Sequence, residues 1–335
     1  MSYSIASELL LCLYKKMLRI RVFEERVAKL LEDKEIKCPS HLCIGQEAVA
    51  AGVCSALRND DHVFGTHRSH GHFLAKGGDM RQMMAELYGK QTGCSKGRGG
   101  SMHLTAPEVG FIGSAPIVSG IIPLAVGSAL SSRLQEKDRV TVAFFGDGAV
   151  DEGVFHESLN FAALKKLPVV FVCENNFFST HLHIVQRRIC GEIFKFADVY
   201  GMAGGRVDGN NAIAVYRAAC ESLARARSGD GPTLLECLTY RWRGHVGPAL
   251  DLEVGLGRKE ELPQWVGKDP ITRLKEQLLA EQKVTAAELE KLSKDVQQDV
   301  EEAVIFARES PYPDEKELLH YVFDDQTQGH GHAKD

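Results

Sequence analysis

Two polar residues in the middle of the chain are of types that bind metal ions. Asp147 stands between two glycines directly after the β-branched and aromatic run 140–145, and Asn176 follows a second such run, 169–173. Carboxylate and amide oxygens are hard ligands, and Mg²⁺ is commonly held by one or two of them with phosphates and water. The flanking glycines let the backbone approach a bulky anion closely. The pattern therefore predicts a site for Mg²⁺ and a diphosphate.

The elements around these residues must bring them together. The runs 140–145 and 169–173 are strand-like and the stretch 152–166 between them is helical, which predicts two parallel strands joined by a crossover helix. Parallel strands place their carboxyl ends at one edge, where open α/β sheets bind ligands. The helix that begins near residue 151 would point its N-terminal amides at the anion.

Other interpretations of these motifs are available. Gly-Asp-Gly and Asn-Asn are each ordinary turn sequences, and either one alone carries little functional information. The chain contains no P-loop sequence, and position 151 is Asp, so no G-x-G-x-x-G fingerprint is formed. The sequence thus argues against P-loop and dinucleotide-binding folds.

The remaining pattern predicts an α/β fold in which a parallel sheet is flanked by helices, with an N-terminal helix and a C-terminal helical extension. Periodicity predicts a helix over 9–30, a helix over 212–227 and a strand over 233–242. The stretch from about 244 to 257 fits neither period and is long for a simple connection, which indicates a functional loop. Asp269-Pro270, and Thr285 with Glu288, are typical of two helix starts.

Composition and charge argue against several classes of protein. The 335 residues are 44% hydrophobic and 25% charged, with a net charge of −5 and no long run of like charge, so nucleic acid and anionic membranes are not expected partners. No apolar run approaches the roughly 18 residues of a membrane span. Nine irregularly spaced cysteines form no C-x-x-C pair and are expected to be reduced thiols in the cytoplasm.

Several motifs in register resemble the α subunits of thiamine diphosphate-dependent 2-oxo acid dehydrogenases. The matching segments are Gly146-Asp147-Gly148, Leu167-Pro168, Asn175-Asn176, His41 to Ala48, Thr66 to His72, Lys96 to His103 and Thr239 to His245. The resemblance covers roughly residues 15–310. Because Glu174 stands where the branched-chain enzymes place an arginine, the chain is more similar to the pyruvate and acetoin dehydrogenase subunits.

The resemblance assigns roles in cofactor binding. It implies that Asp147, Asn176 and the carbonyl of Phe178 hold Mg²⁺, and that Arg68 and His67 contact the diphosphate. The backbone amides that it places on phosphate oxygens are those of Gly146, Gly148 and Ala149. It also implies that Val118 and its two neighbours face the aminopyrimidine ring.

Three histidines are implied to border the reacting carbonyl of the substrate: His41, His70 and His245. His245 is the best supported by the sequence itself, because it opens the long loop, where an acid or base could close over substrate. The family resemblance also gives the expected segments: an N-terminal helical segment at 1–40, a thiamine diphosphate-binding α/β domain at 41–260, C-terminal helices packed on it at 261–323, and a flexible tail at 324–335.

The resemblance implies an enzyme that works only with a second subunit. The carboxylate that activates the aminopyrimidine is supplied in this family by a β subunit, and no motif of this chain offers it. The expected assembly contains two α and two β subunits, and the expected reaction is oxidative decarboxylation of a small 2-oxo acid with acyl transfer to a lipoyl acyltransferase. The alternatives are acetoin cleavage, or another thiamine-dependent lyase or carboligase with a non-lipoyl acceptor, and a non-catalytic paralogue.

Overall fold

A parallel sheet organises the protein. The computed structural model describes residues 7–317 and residue 320, so the predicted tail at 324–335 lies outside the described residues. The strands are β1 (His62–Gly65), β2 (Phe111–Ser114), β3 (Thr141–Gly146), β4 (Val169–Asn175), β5 (Phe178–Ser179), β6 (Leu182–His183), β7 (Ala203–Asp208) and β8 (Thr233–Leu238). Six of them form one sheet in the order β2-β1-β3-β4-β8-β7, and every neighbouring pair is parallel. β5 and β6 form a small antiparallel pair.

Helices surround this sheet. They are α1 (Ser7–Glu32), α2 (Glu47–Ala56), α3 (His70–Lys76), α4 (Met80–Leu87), α5 (Ile121–Leu134), α6 (Gly153–Leu164), α7 (Ile184–Arg187), α8 (Phe196–Val199), α9 (Ala212–Arg227), α10 (Arg258–Val266), α11 (Pro270–Ala280) and α12 (Ala286–Glu309). Within the described residues, no helix is both long and apolar enough to cross a membrane.

The strands are apolar on both faces because helices cover both sides. Along β3, Val142 and Phe144 belong to the core shared with α2, α9 and the N-terminal helices, whereas Ala143 and Phe145 belong to the core shared with α5 and α6. A strand buried on both sides reads as a continuous apolar run, which is the pattern seen in the sequence. The predicted α/β class with a parallel sheet flanked by helices is confirmed.

The N-terminal and C-terminal helices form a third core. Apolar residues of α1 pack with those of α11 and α12. The predicted caps are present: the Asp269 side chain accepts from the first amides of α11, and Thr285 with Glu288 forms a complete capping box on α12. The division into segments at 40, 260 and 323 stays a prediction.

Two boundaries differ from the predicted ones. The strand expected over 233–242 ends at Leu238, because its partners β4 and β7 end opposite it at Asn175 and Asp208. Beyond that point the chain forms hydrogen bonds outside the sheet, and the Trp242 amide donates to the Ile44 carbonyl. The helix expected from about 151 begins at Gly153 and is preceded by a 3-10 turn over Asp147–Asp151.

Candidate active site

A cavity of about 260 Å³ lies at the carboxyl edge of the sheet, where β3 and β4 end. It brings together almost every residue predicted to belong to the site. Those that line it are His41, His67, Arg68, Val118, Gly146, Asp147, Gly148, Ala149, Asn176, Phe178 and His245. Segments far apart in sequence meet here because parallel strands end at one edge.

Asp147 is a buried carboxylate in which one oxygen has a hydrogen-bond partner and the other has none. It is 1% exposed, its Oδ2 accepts a hydrogen bond from the Arg187 guanidinium, and its Oδ1 has no hydrogen-bond partner. Burial raises the pKa of Asp147, against the opposing effect of the Arg187 charge. A buried anionic oxygen without a partner is costly, and a metal ion would satisfy it.

Asn176 is held in one orientation by a residue that the sequence did not single out. Its side-chain amide donates to Gln46 Oε1 at 2.9 Å, and its Oδ1 accepts from the Phe178 backbone amide at 3.3 Å. Gln46 precedes α2, 130 residues away in sequence, so no local pattern predicts this contact. The hydrogen bond to Gln46 assigns the oxygen of Asn176 to the Phe178 side, next to the carbonyl proposed as a further ligand.

The turn after β3 is shaped for a close approach. A Cβ atom added to Gly148 would lie 2.6 Å from Ser179 Oγ, so any larger residue would push this turn away from β5. Gly146 has open space where a side chain would stand. The two glycines thus have different uses: one allows close packing of the backbone, and the other leaves room for a ligand.

Two buried arginines supply positive charge beside the cavity. Arg68 lines it and donates to the carbonyls of Leu42 at 2.6 Å and His245 at 3.1 Å. Arg241, which the sequence did not identify as a site residue, is 1% exposed and donates to the carbonyl of the cavity residue Thr180. Its Nε and Nη1 have no partner, and burial lowers its pKa to about 9. Unpaired buried guanidinium nitrogens are suited to an anion.

Three histidines meet at the mouth of the cavity. The ring centres of His41 and His67 are 4.6 Å apart, and those of His41 and His245 are 5.0 Å apart. Burial, reinforced by the charge of Arg68, lowers the pKa of His41 to about 3, of His67 to about 2 and of His245 to about 4. All three rings are therefore neutral at pH 7 and can accept a proton or a hydrogen bond.

His70 does not join this group. It is fully buried and does not line the cavity; its Nδ1 bonds Glu24 Oε1 at 2.5 Å and its Nε2 bonds Ser101 Oγ at 2.7 Å. Because both ring nitrogens already have partners, the geometry gives His70 a structural role, joining α1 to the loop before β2. The expectation that it borders the reacting carbonyl is not supported by this placement.

Arg258 donates several hydrogen bonds to the loop that carries His245 and to the chain before it. Arg258 is 1% exposed and donates to the carbonyls of Leu250, Arg241, Trp242 and Arg243, at 2.7 to 3.2 Å. The loop contains no helix or strand between the end of β8 and the start of α10. Its order therefore depends on side-chain contacts of this kind.

Another carboxylate, Glu174, also lines the cavity, but it is paired with His72 Nε2 at 3.1 Å. Taken together, the unpartnered Oδ1 of Asp147, the two unpartnered guanidinium nitrogens of Arg241 and the open turn at Gly146 fit a metal ion and a phosphate-bearing anion. The fold and site thus define an α/β protein with a cavity at the carboxyl edge of its sheet that is suited to such a pair.

Residues 15–316 match the family model described as dehydrogenase E1 component. Because the match covers most of its length, the chain belongs to this family, as the motifs indicated. It is similar to the alpha subunit of acetoin:2,6-dichlorophenolindophenol oxidoreductase from Bacillus subtilis, with 44% identity over 96% of this chain and 95% of that protein.

Pyruvate dehydrogenase E1 component alpha subunits are similar over comparable lengths. The protein from Porphyra purpurea is 41% identical over 94% of this chain and 93% of its own length, and that from Rhizobium meliloti is 39% identical over 91% and 87%. The chain is thus the α subunit of a thiamine diphosphate-dependent oxidoreductase that works with a β subunit.

Proposed function

We propose that the cavity binds thiamine diphosphate through Mg²⁺. Asp147 Oδ1, Asn176 Oδ1 and the Phe178 carbonyl would ligate the ion, while Arg68, His67 and the amides of the 146–149 turn would contact the diphosphate. The observation that supports this most strongly is the buried, unpartnered Oδ1 of Asp147. Arg241 is added to the anion-binding set on the ground of its unpartnered nitrogens.

We propose that His41 and His245 border the reacting carbonyl. When bound, thiamine diphosphate supplies the carbon that attacks a 2-oxo group and accepts the electrons left by departing CO₂. Neutral imidazoles at the cavity mouth would hold or move a proton at the carbonyl oxygen. Val118 is 48% exposed at the cavity edge, where it would face the aminopyrimidine and the partner subunit.

We propose that this chain forms half of each catalytic site in an assembly of two α and two β subunits. Of the described residues, the cavity is lined by two carboxylates, Asp147 and Glu174, and both are engaged with basic side chains. An activating carboxylate for the aminopyrimidine must then come from the β subunit. A lipoyl acyltransferase would receive the acyl group at the loop that follows His245.

The proposed substrate is pyruvate, supported by the similarity to several pyruvate dehydrogenase α subunits. Acetoin is the second candidate, favoured by the similarity to the Bacillus subtilis protein. Reduction of an artificial electron acceptor by the reconstituted α and β subunits should be compared for pyruvate, longer 2-oxo acids and acetoin. Rapid turnover of pyruvate together with acylation of a lipoyl domain supports the first proposal, and turnover of acetoin alone supports the second.

We also propose a cytoplasmic location. All nine cysteines are free, and two of them, Cys12 and Cys190, are exposed. Free thiols persist in reducing compartments. Labelling the exposed thiols with a reactive dye in freshly lysed cells tests this, because oxidised thiols would not react.

A further inference from the structure

The three histidines at the cavity mouth have the arrangement of metal ligands. They come from three separate places in the fold: His41 precedes α2, His67 follows β1, and His245 follows β8. One ring nitrogen from each lies within 4.8 Å of the others. The three ring centres are 4.6, 5.0 and 5.6 Å apart, so the imidazoles surround one small volume.

One of the three histidines has a ring nitrogen without any partner in the protein. His41 is 8% exposed, and its Nδ1 is buried without a hydrogen bond. A buried polar atom in this state costs free energy unless a ligand satisfies it. The roles proposed for these rings, at the diphosphate and at the substrate carbonyl, are separate ones and do not account for the mutual contact of the three imidazoles.

The chemistry of the cluster selects the kind of ion. Neutral imidazoles are ligands for zinc and related transition metals, whereas Mg²⁺ prefers oxygen. Arg68 and Arg241 stand close enough to disfavour a cation held by charge alone. An ion at this site must therefore be held by nitrogen coordination, and it would take an anion as its fourth ligand.

We propose that His41, His67 and His245 form a binding site for one zinc-like divalent ion, whose fourth position opens to the cavity. In a tetrahedral zinc site, Zn–N distances of about 2.0–2.1 Å put the ligand nitrogens about 3.3 Å apart. The ligand nitrogens, now within 4.8 Å of one another, then have to approach each other by up to about 1.5 Å. The bound ion occupies the position proposed for the substrate carbonyl, so it inhibits turnover.

Cobalt provides the direct test, because four-coordinate Co²⁺ absorbs visible light far more strongly than six-coordinate Co²⁺. The full-length chain is titrated with Co²⁺ in excess Mg²⁺, which fills the oxygen site, and without thiamine diphosphate. We expect intense visible absorption that saturates at one ion per chain and is displaced by Zn²⁺. The result does not depend on the proposed cofactor or substrate.

The variants His67→Phe and His245→Gln assign the ligands. Either one should weaken Co²⁺ binding at least about 100-fold, since removing even the support of a ligand costs 10–100-fold. His103→Phe, at an exposed histidine outside the cluster, should leave binding unchanged. Circular dichroism identifies a variant that fails to fold, and the other variant then decides.

Two results would overturn the proposal. One is the absence of intense visible absorption with the folded wild-type chain. The other is a cobalt spectrum with a sulfur charge-transfer band that persists in both histidine variants, which would place the ion on exposed Cys12 or Cys190.

Discussion

Asp147 has two carboxylate oxygens in different states, and this difference is central to the site. One oxygen accepts from Arg187, so the side chain is fixed, while the other is buried and free for a ligand. The Arg187 contact thus holds the carboxylate in place without filling its second oxygen. The sequence did not single out Arg187, because the contact spans 40 residues and depends on how α7 folds back over the turn.

Asp147→Asn should remove Mg²⁺-dependent cofactor binding without unfolding the chain. The amide has the same shape but lacks the charge that balances the ion, so thiamine diphosphate affinity should fall at least about 100-fold in Mg²⁺. Calorimetry with the β subunit present measures this, and Asp198→Asn, at an exposed helical position, is the matched control. Equal affinities in the folded variant and the control would rule out Asp147 as a ligand.

His245→Ala should lower the turnover rate and leave the affinity for thiamine diphosphate unchanged. The ring lies at the cavity mouth, with a pKa held at about 4 by burial and by Arg68, so it is a neutral acceptor at pH 7. Loss of a positioned acid or base lowers the rate by about 10²–10⁴-fold. Fluorescence titration measures the affinity for thiamine diphosphate, and the turnover of the same α–β preparations measures the rate. A collapse of cofactor affinity with a normal rate per bound cofactor would show that His245 is a binding residue.

At the scale of elements, Arg258 anchors the loop between β8 and α10 through four carbonyls, alongside the contact of Arg68 with the His245 carbonyl. A lysine at this position cannot reach four carbonyls, since it has a single ammonium group in place of a planar fork. Arg258→Lys should therefore lower stability by about 2–3 kcal/mol. Backbone hydrogen exchange at 241–250 should become faster, as mass spectrometry would report. Lys259→Gln, at the exposed neighbouring position, should change neither the stability nor the exchange rate. Unchanged exchange in Arg258→Lys would show that other contacts are sufficient to order the loop.

The first strand should make the fold sensitive to acid. His62 begins β1, its Nδ1 lies 2.8 Å from Ser128 Oγ on α5, and burial lowers its pKa to about 4. Between that value and the 6.5 of the unfolded chain, only the unfolded chain binds the extra proton. Stability from His62 is thus complete above pH 6.5 and falls as the pH drops toward 4.

His62→Gln should remove this part of the pH dependence. Between pH 7 and pH 5 the wild type should lose up to about 2 kcal/mol that the variant keeps, because glutamine does not titrate. Urea unfolding of both proteins at the two pH values gives the difference directly. Parallel pH profiles would mean that His62 is protonated as easily in the native state as in the unfolded chain.

For the whole molecule, the sequence could predict features that follow from local patterns and strand order, but not contacts between distant segments. Asp147 and Asn176 were placed together because strand periodicity and the rule for parallel strands determine which ends meet. The buried position of His70 could not be predicted, because its partner Glu24 lies on α1 and no pattern in the sequence reports that contact; its expected place beside the carbonyl stays a prediction. Arg241 lay within a recognised motif, yet its significance comes from two buried nitrogens that have no partner, which only a three-dimensional arrangement reveals.

For the whole molecule, we propose that this chain provides only half of a catalytic site. Dye reduction with pyruvate or acetoin should be measured for this chain alone, for its β subunit alone and for the mixture, all with saturating thiamine diphosphate and Mg²⁺. We expect turnover in the mixture and none above background in either chain alone. Full turnover by this chain alone would contradict it, and would identify a local activating carboxylate, with Glu174 at the cavity wall as the residue to replace first.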